Sequence, residues 1–372
     1  MKKSALALAA LGAFAGAASA QSSVTLFGVV DLNVSYIKND EASYSLGQDG
    51  MASSRLGFRG IEDLGGGLKA SFWLEGALGP DTGTGSSSYG SGNTTGPGAF
   101  MFRRRSTLSL SNQWGELRLG RDYTPTFWNW TVFDPFGTNG IGAATNLGLS
   151  AQIRSVTGAG DAFGTLVRAN NTVGYILPAG QFGPGLYGQL MVAAGESAAL
   201  NKYWGGRIGY KAGPFDIAAA YGQTAVDVAD TLDMDVWNIG GSWDFGSFGK
   251  LFGFYNSISV DVPGGGNADQ NNYYVGYAIP FGQWNFKASW GYVDQGGIQT
   301  FTSNEATQWA IGADYNLSKR TAIYATASWI NNSAPDAASG MLNGTAFTVG
   351  STSPLTRGEN SSGFQVGVRH SF

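Results

Sequence analysis

The last ten residues, Gly363–Phe372, alternate strictly and stop on a phenylalanine. Phe364, Val366, Val368, His370 and Phe372 share one face; Gln365, Gly367, Arg369 and Ser371 share the other. Such a strand, apolar on one side, polar on the other and flush with the chain terminus, suits the closing strand of a membrane barrel, with Phe372 as the insertion end. The opposite end reads as an export address. Lys2 and Lys3 precede the apolar stretch Ala5–Ala17, and Ala18-Ser19-Ala20 makes a small-x-small cleavage site before Gln21. The expected organisation is therefore a cleaved signal peptide over residues 1–20 and an outer-membrane barrel over 21–372.

Composition narrows the function classes. The chain carries 22 Lys+Arg against 26 Asp+Glu, and two of those lysines leave with the leader, so no basic stripe for nucleic acid is expected. The absence of cysteine excludes disulfides and thiolate metal sites. Charged residues make up 13%, about half the share usual in a soluble domain, whereas aromatics also reach 13%. After residue 20 no apolar run is long enough to span a membrane as a helix. An exported, charge-poor, aromatic-rich chain without such a helix points to strands as the membrane-crossing element.

The strands follow the expected period of two. Leu26, Gly28, Val30, Leu32, Val34 and Tyr36 face one way against Thr25, Asp31, Asn33 and Ser35. Trp284, Phe286, Ala288, Trp290 and Tyr292 do the same against Asn285, Lys287, Ser289 and Gly291, with rings toward the strand ends as in a lipid-facing girdle. Seven short connections and eight long ones separate the strands, which gives sixteen. The predicted fold is an all-β, 16-stranded antiparallel transmembrane barrel, wide enough for an aqueous channel. The first long connection is placed at about 38–50 and the third at about 123–166. The third is too long for an ordinary hairpin loop. Its rings (Tyr123, Phe127, Trp128, Trp130, Phe133, Phe136) predict that it folds inward against the wall and narrows the lumen.

Alternation also sorts charge. Eleven basic residues fall on the inner face, among them Arg55, Arg59, Arg103, Arg105, Arg118, Arg168, Arg207 and Lys287; seven acids join them, Asp31, Glu75, Glu116, Asp122, Asp216, Asp244 and Asp314. Arg55, Arg103, Arg105 and Arg168 lie where the third segment would fold in, with Glu75 and the loop acid Asp134 as counterweights. Arginines converging in a narrow, low-dielectric passage attract anions and keep their charge across pH. The competing reading pairs each arginine with an acid and leaves little field.

These residues carry a family likeness. Ser54–Ala70, Gly115–Asp122, Asn316–Thr321 and the closing Gly367–Phe372 resemble stretches of trimeric general porins of the beta-proteobacterial type, closest to the anion-selective members. The resemblance implies a homotrimer and a third loop that forms the constriction opposite a basic cluster. It maps that cluster onto Arg55, onto the run Arg103-Arg104-Arg105 and onto Arg168. Local match favours Arg104 as the pore arginine; alternation sends Arg103 and Arg105 inward, so all three remain candidates, reconcilable by a bulge.

Other signals carry less. Gly183–Gly188 matches G-x-G-x-x-G but lies in a hairpin without a following helix. Asp227, Asp230, Asp233 and Asp235 read as a solvated loop, with a divalent-ion bridge to surface lipid or lipopolysaccharide as the alternative. His370 is the lone histidine and no serine sits in a Gly-x-Ser-x-Gly elbow, so neither an enzyme nor a cofactor is expected. The functional expectation is a passive channel for small hydrophilic solutes, anions favoured. The alternative is a non-conducting or solute-specific binding or adhesion barrel.

Overall fold

In the computed structural model, the residues described are 23–85, 100–149, 162–180, 185–195, 200–297, 304–333, 347–349, 355–356 and 358–372. The leader over 1–20 lies outside them. The strands alternate because their residues do: along β15 (Trp284–Gly296) the rings of Trp284 and Phe286 are exposed, while Ser289, Gly291, Val293 and Gln295 are buried on the opposite face. Lipid-facing rings outside and polar or small residues inside are the arrangement a water-filled barrel requires.

The chain opens with β1 (Ser23–Lys38), β2 (Ala42–Gln48), β3 (Arg55–Gly65), β4 (Leu68–Gly79) and the two-residue β5 (Thr84–Gly85). Then come β6 (Arg105–Asn112), β7 (Gly115–Tyr123), β8 (Arg168–Leu177), β9 (Leu186–Ala193), β10 (Tyr203–Ala212) and β11 (Phe215–Ala225). The remainder are β12 (Asp233–Asp244), β13 (Lys250–Asp261), β14 (Asn267–Phe281), β15, β16 (Asn304–Asn316), β17 (Thr321–Ser333) and β18 (Ser361–Ser371). All pairings are antiparallel, and β1 pairs with β18 from Val29↔Ser371 to Lys38↔Ser362. Phe372 extends that closure, exchanging two backbone hydrogen bonds of 3.1 Å with Gly28.

The closed barrel has 16 strands. The assigned strand count is larger because β5 is a stub on β4, and because β2 and β3 are two halves of one stave. β2 pairs with the upper part of β1 (Leu32–Lys38) and β3 with the lower part (Ser23–Val29). This corrects the expected first loop at 38–50: the hairpin turns at 39–41, and the chain returns as strand before breaking at 49–54. The break is held by Asp31, whose carboxylate accepts the Met51 and Ala52 N–H groups at 2.8 Å, the Gly50 N–H at 3.3 Å and the Tyr324 hydroxyl. Asp31 therefore serves the backbone rather than the lumen field.

Turns at the other rim are tight. Between β3 and β4 the chain reverses at Gly65, Gly66 and Gly67 with φ of 86°, 62° and 83°, a region that side chains disfavour. Leu186, Tyr187 and Gly188, the end of the G-x-G-x-x-G stretch, open strand β9, so no helix follows it; Gly183 and Pro184 lie outside the described residues.

The third long segment carries helix α1 (Pro125–Val132) and the short α2 (Thr145–Gly148). α1 starts with proline at its first turn, where no intrahelical N–H is needed. Its rings are buried on the inner wall: Trp130 meets Phe254 edge-on at 4.6 Å, and Phe133 is fully buried over Gly240. A Cβ at Gly240 would collide with the Phe133 ring, and one at Gly276 would stand 2.6 Å from Pro135. Inward glycines thus leave the groove in which the segment lies. Asn129 donates to the Asn238 side chain at 2.8 Å, and Asn238 donates back to Thr126 O at 3.1 Å.

Candidate functional site: the arginine-lined passage

Between the third segment and the wall built by β1, β3, β4, β6 and β8 lies a water-accessible cavity of about 820 Å³. Five arginines border it, Arg55, Arg59, Arg104, Arg105 and Arg168, against two carboxylates, Asp49 and Glu75. The far side of the cavity is the tip of the segment. Ser53 donates to Asn139 at 2.7 Å and Ile141 N–H donates to Gln365 at 3.0 Å, so the tip is tied both to the stave break and to β18.

The arginines differ in how their charge is compensated. Arg104 Nε lies 2.6 Å from Glu75, and both side chains are 8% exposed. Arg105 stands 3.7 Å from Asp122, which is shared with Arg118 at 2.5 Å. Among the described residues no carboxylate lies within 4.0 Å of Arg55, Arg59 or Arg168. Arg168 is 4% exposed yet borders the cavity, and is held by its donation to the Tyr123 hydroxyl at 2.7 Å. Arg104 donates to the same oxygen at 2.8 Å. One hydroxyl oxygen thus gathers two guanidiniums.

The sequence-predicted residues divide between the cavity and its scaffold. Arg55, Arg104, Arg105, Arg168 and Glu75 border one cavity. Arg103 does not; its carbonyl accepts from Arg121 Nε at 2.5 Å. β6 begins only at Arg105, so period two has no hold on 103 and 104, and Arg104 reaches the cavity without a bulge. Asp134 is also absent from the lining. Its carboxylate accepts the N–H groups of Phe136, Thr138 and Ala144 at 2.8–3.0 Å and the Tyr274 hydroxyl at 2.8 Å, which makes it the staple of the third segment. Farther along the wall, Lys287 is neutralised by Asp314 at 2.6 Å. Pairing therefore holds for Lys287, Arg104 and Arg105, whereas Arg55, Arg59 and Arg168 border the cavity with no carboxylate within 4.0 Å among the described residues.

Sequence reasoning missed Tyr123 as the bridge, Asn129 as the acceptor for Arg207 Nε at 2.5 Å, and the wall glycines under the loop. The glycines left a readable signal, since a glycine at an inward strand position often marks close approach of another chain segment. In the fifth loop, Asp227 accepts the hydroxyl and N–H of Thr231, and Asp230 pairs with Lys202 at 2.7 Å. Hydrogen bonding from Thr231 holds the Asp227 carboxyl below its ordinary value.

Comparison with known proteins places the molecule among relatives. A family model described as Gram-negative porin matches residues 7–335. Outer membrane porin protein 32 of Delftia acidovorans is 39% identical over the full length of both chains. An outer membrane porin protein of Bordetella pertussis is 31% identical, over 89% of this chain and 95% of its own. Among solved structures, an anion-selective porin from Comamonas acidovorans superposes with a TM-score of 0.77 at 34% identity, covering 95% of this chain and 100% of that one. The trimer form of OmpT from Vibrio cholerae matches in fold at 15% identity, with a TM-score of 0.65 over 94% of this chain and 99% of that one.

Proposed function

The chain belongs to the Gram-negative porin family, and on that premise we propose that it forms a passive, water-filled channel in the bacterial outer membrane for small hydrophilic solutes, with anions favoured. One observation carries the ionic preference: five arginines face two carboxylates around a single cavity, and three of the five have no carboxylate partner within 4.0 Å among the described residues. Charges of one sign in a passage with low-dielectric walls raise the local concentration of counter-ions. The similarity to an anion-selective relative supports the same sign. Arg55, Arg104, Arg105 and Arg168 set charge preference, Glu75 moderates it, and the third segment sets width. The chemistry needs no catalytic group, metal or cofactor.

Homologous porins support an oligomer, and we assign a homotrimer. The distribution of outward tryptophans supports a protein-facing arc. Among the described strands, Trp204, Trp237, Trp243, Trp284, Trp290, Trp309 and Trp329 all lie on β10–β17, whereas the arc from β18 through β9 presents Val24, Leu26, Val34, Leu108, Leu119 and Val173. Tryptophan belts mark membrane interfaces, so the arc on which, among the described residues, Trp114 at the β6–β7 turn is the one exposed tryptophan suits burial against neighbouring copies. Outer-membrane lipid and lipopolysaccharide contact the remaining circumference.

The test replaces Arg55, Arg104 and Arg168 by glutamine together. The triple variant is expected to insert and conduct with reduced anion preference, at lower stability than the wild type because Glu75 loses Arg104. Unchanged selectivity would overturn the assignment of the cluster. A well-folded protein without conductance would favour a binding or adhesion barrel.

A further inference from the structure

The passage wall carries a second pattern that charge selection alone does not require. Phe27, Arg59, Trp73 and Arg105 come from β1, β3, β4 and β6, four neighbouring staves, and form a row in which rings and guanidiniums alternate. The Arg59 guanidinium carbon lies 5.4 Å from the Phe27 centroid and 5.3 Å from that of Trp73; Arg105 lies 4.7 Å from Trp73. Phe27 and Trp73 meet at 4.8 Å across Gly57, whose missing Cβ leaves room for the Phe27 ring. A second group borders the same cavity. Arg168 lies 4.2 Å over Tyr123, Tyr123 stacks on Phe127 at 5.3 Å and 9°, and Trp128 meets Tyr123 edge-on at 5.3 Å.

A hydrated inorganic anion gains nothing from rings, which replace wall that water would otherwise wet. A planar anion gains twice. A guanidinium held within about 6 Å of a ring centroid still presents N–H donors, which a carboxylate meets in charge-assisted bonds. The ring of the same solute then lies against Trp73 or Trp128, in stacked or edge-to-face contact. Arg59, exposed and without a carboxylate within 4.0 Å among the described residues, offers such donors beside Trp73. We infer that the passage holds an aryl-carboxylate subsite, so that planar aromatic anions are favoured over aliphatic anions of equal charge and similar size. The inference rests on the anion-channel reading above.

The experiment compares benzoate with cyclohexanecarboxylate as competitors of the chloride current through the full-length protein in a planar bilayer. Benzoate is expected to reduce the current at about two- to twelvefold lower concentration, the factor that an aromatic contact contributes beyond area burial. Trp73→Leu and Trp128→Leu should each shrink that difference, and the lipid-facing Trp329→Leu should preserve it. Equal action of the two carboxylates, with an anion-signed zero-current potential, would overturn the subsite and leave the channel reading intact. Neutral benzamide acting as strongly as benzoate would overturn the part given to the arginines. A cation-signed potential would overturn both readings. Should a tryptophan variant fail to fold, the wild-type comparison decides alone.

Discussion

Arg168→Gln removes one cavity charge that lacks a directly paired carboxylate among the described residues. Arg168 borders the cavity, has no carboxylate within 4.0 Å among the described residues, and is anchored by Tyr123, which keeps Arg104 as a donor when Arg168 is removed. The substitution therefore strands no acceptor. A unit charge about 8 Å from an ion in water contributes about 0.5 kcal/mol, and screening at about 0.1 M salt roughly halves this. Its loss disfavours the anion and relieves the cation by equal amounts, so the permeability ratio should fall by about two- to fivefold. The low exposure of Arg168, 4%, favours the upper end because less water screens it. The assay is the zero-current potential under a salt gradient, with Arg104→Gln/Glu75→Gln as the control. That double variant removes one charge of each sign from a pair 2.6 Å apart, and should change the ratio less than about twofold. An unchanged ratio in Arg168→Gln, or an equal change in the double variant, would refute the reasoning.

Other consequences can be measured on the same protein. Arg104→Gln alone leaves Glu75 buried without its partner and should destabilise the barrel by about 3–5 kcal/mol, a cost that the double variant largely relieves in denaturant unfolding. Gly240→Val places a side chain against Phe133 and should unseat the third segment, seen as new chymotrypsin cleavage within residues 127–136; an intact segment would contradict the proposed groove. The Asp40 carboxylate joins the β1–β2 turn to the connection between β17 and β18 by accepting from Thr356 at 2.6–2.9 Å, and that bonding holds its carboxyl below the ordinary value. A depressed folded-state value means the link is present above the ordinary aspartate range and lost as pH falls through the lowered one. Thr356→Val should move the Asp40 titration back up, and an unmoved NMR titration would count against the link.

Legibility in the sequence followed physical range. Period two is local, so the outward rings of Trp284, Phe286 and Trp290, the turn glycines 65–67 and the strand number were all readable in advance. The resemblance added Arg104, which alternation alone had turned outward because β6 starts one residue later. Asp31 and Asp134 looked like lumen acids, since nothing local shows that distant backbone amides and the hydroxyls of Tyr324 and Tyr274 occupy their oxygens. The stave break at 49–54 was hidden for the same reason: it depends on Asp31 from the neighbouring strand. Tyr123 read as one ring among several, and its bridging position becomes visible only when β6 and β8 bring Arg104 and Arg168 to one oxygen.

The proposed function gives control of ion passage to the cavity arginines, three of which have no carboxylate within 4.0 Å among the described residues. The most direct measurement is the zero-current potential of the wild-type protein in a planar bilayer under a potassium chloride gradient. A potential of the sign set by chloride is expected. A potential of the sign set by potassium would contradict it, and would move control of the passage from the arginines to the acids.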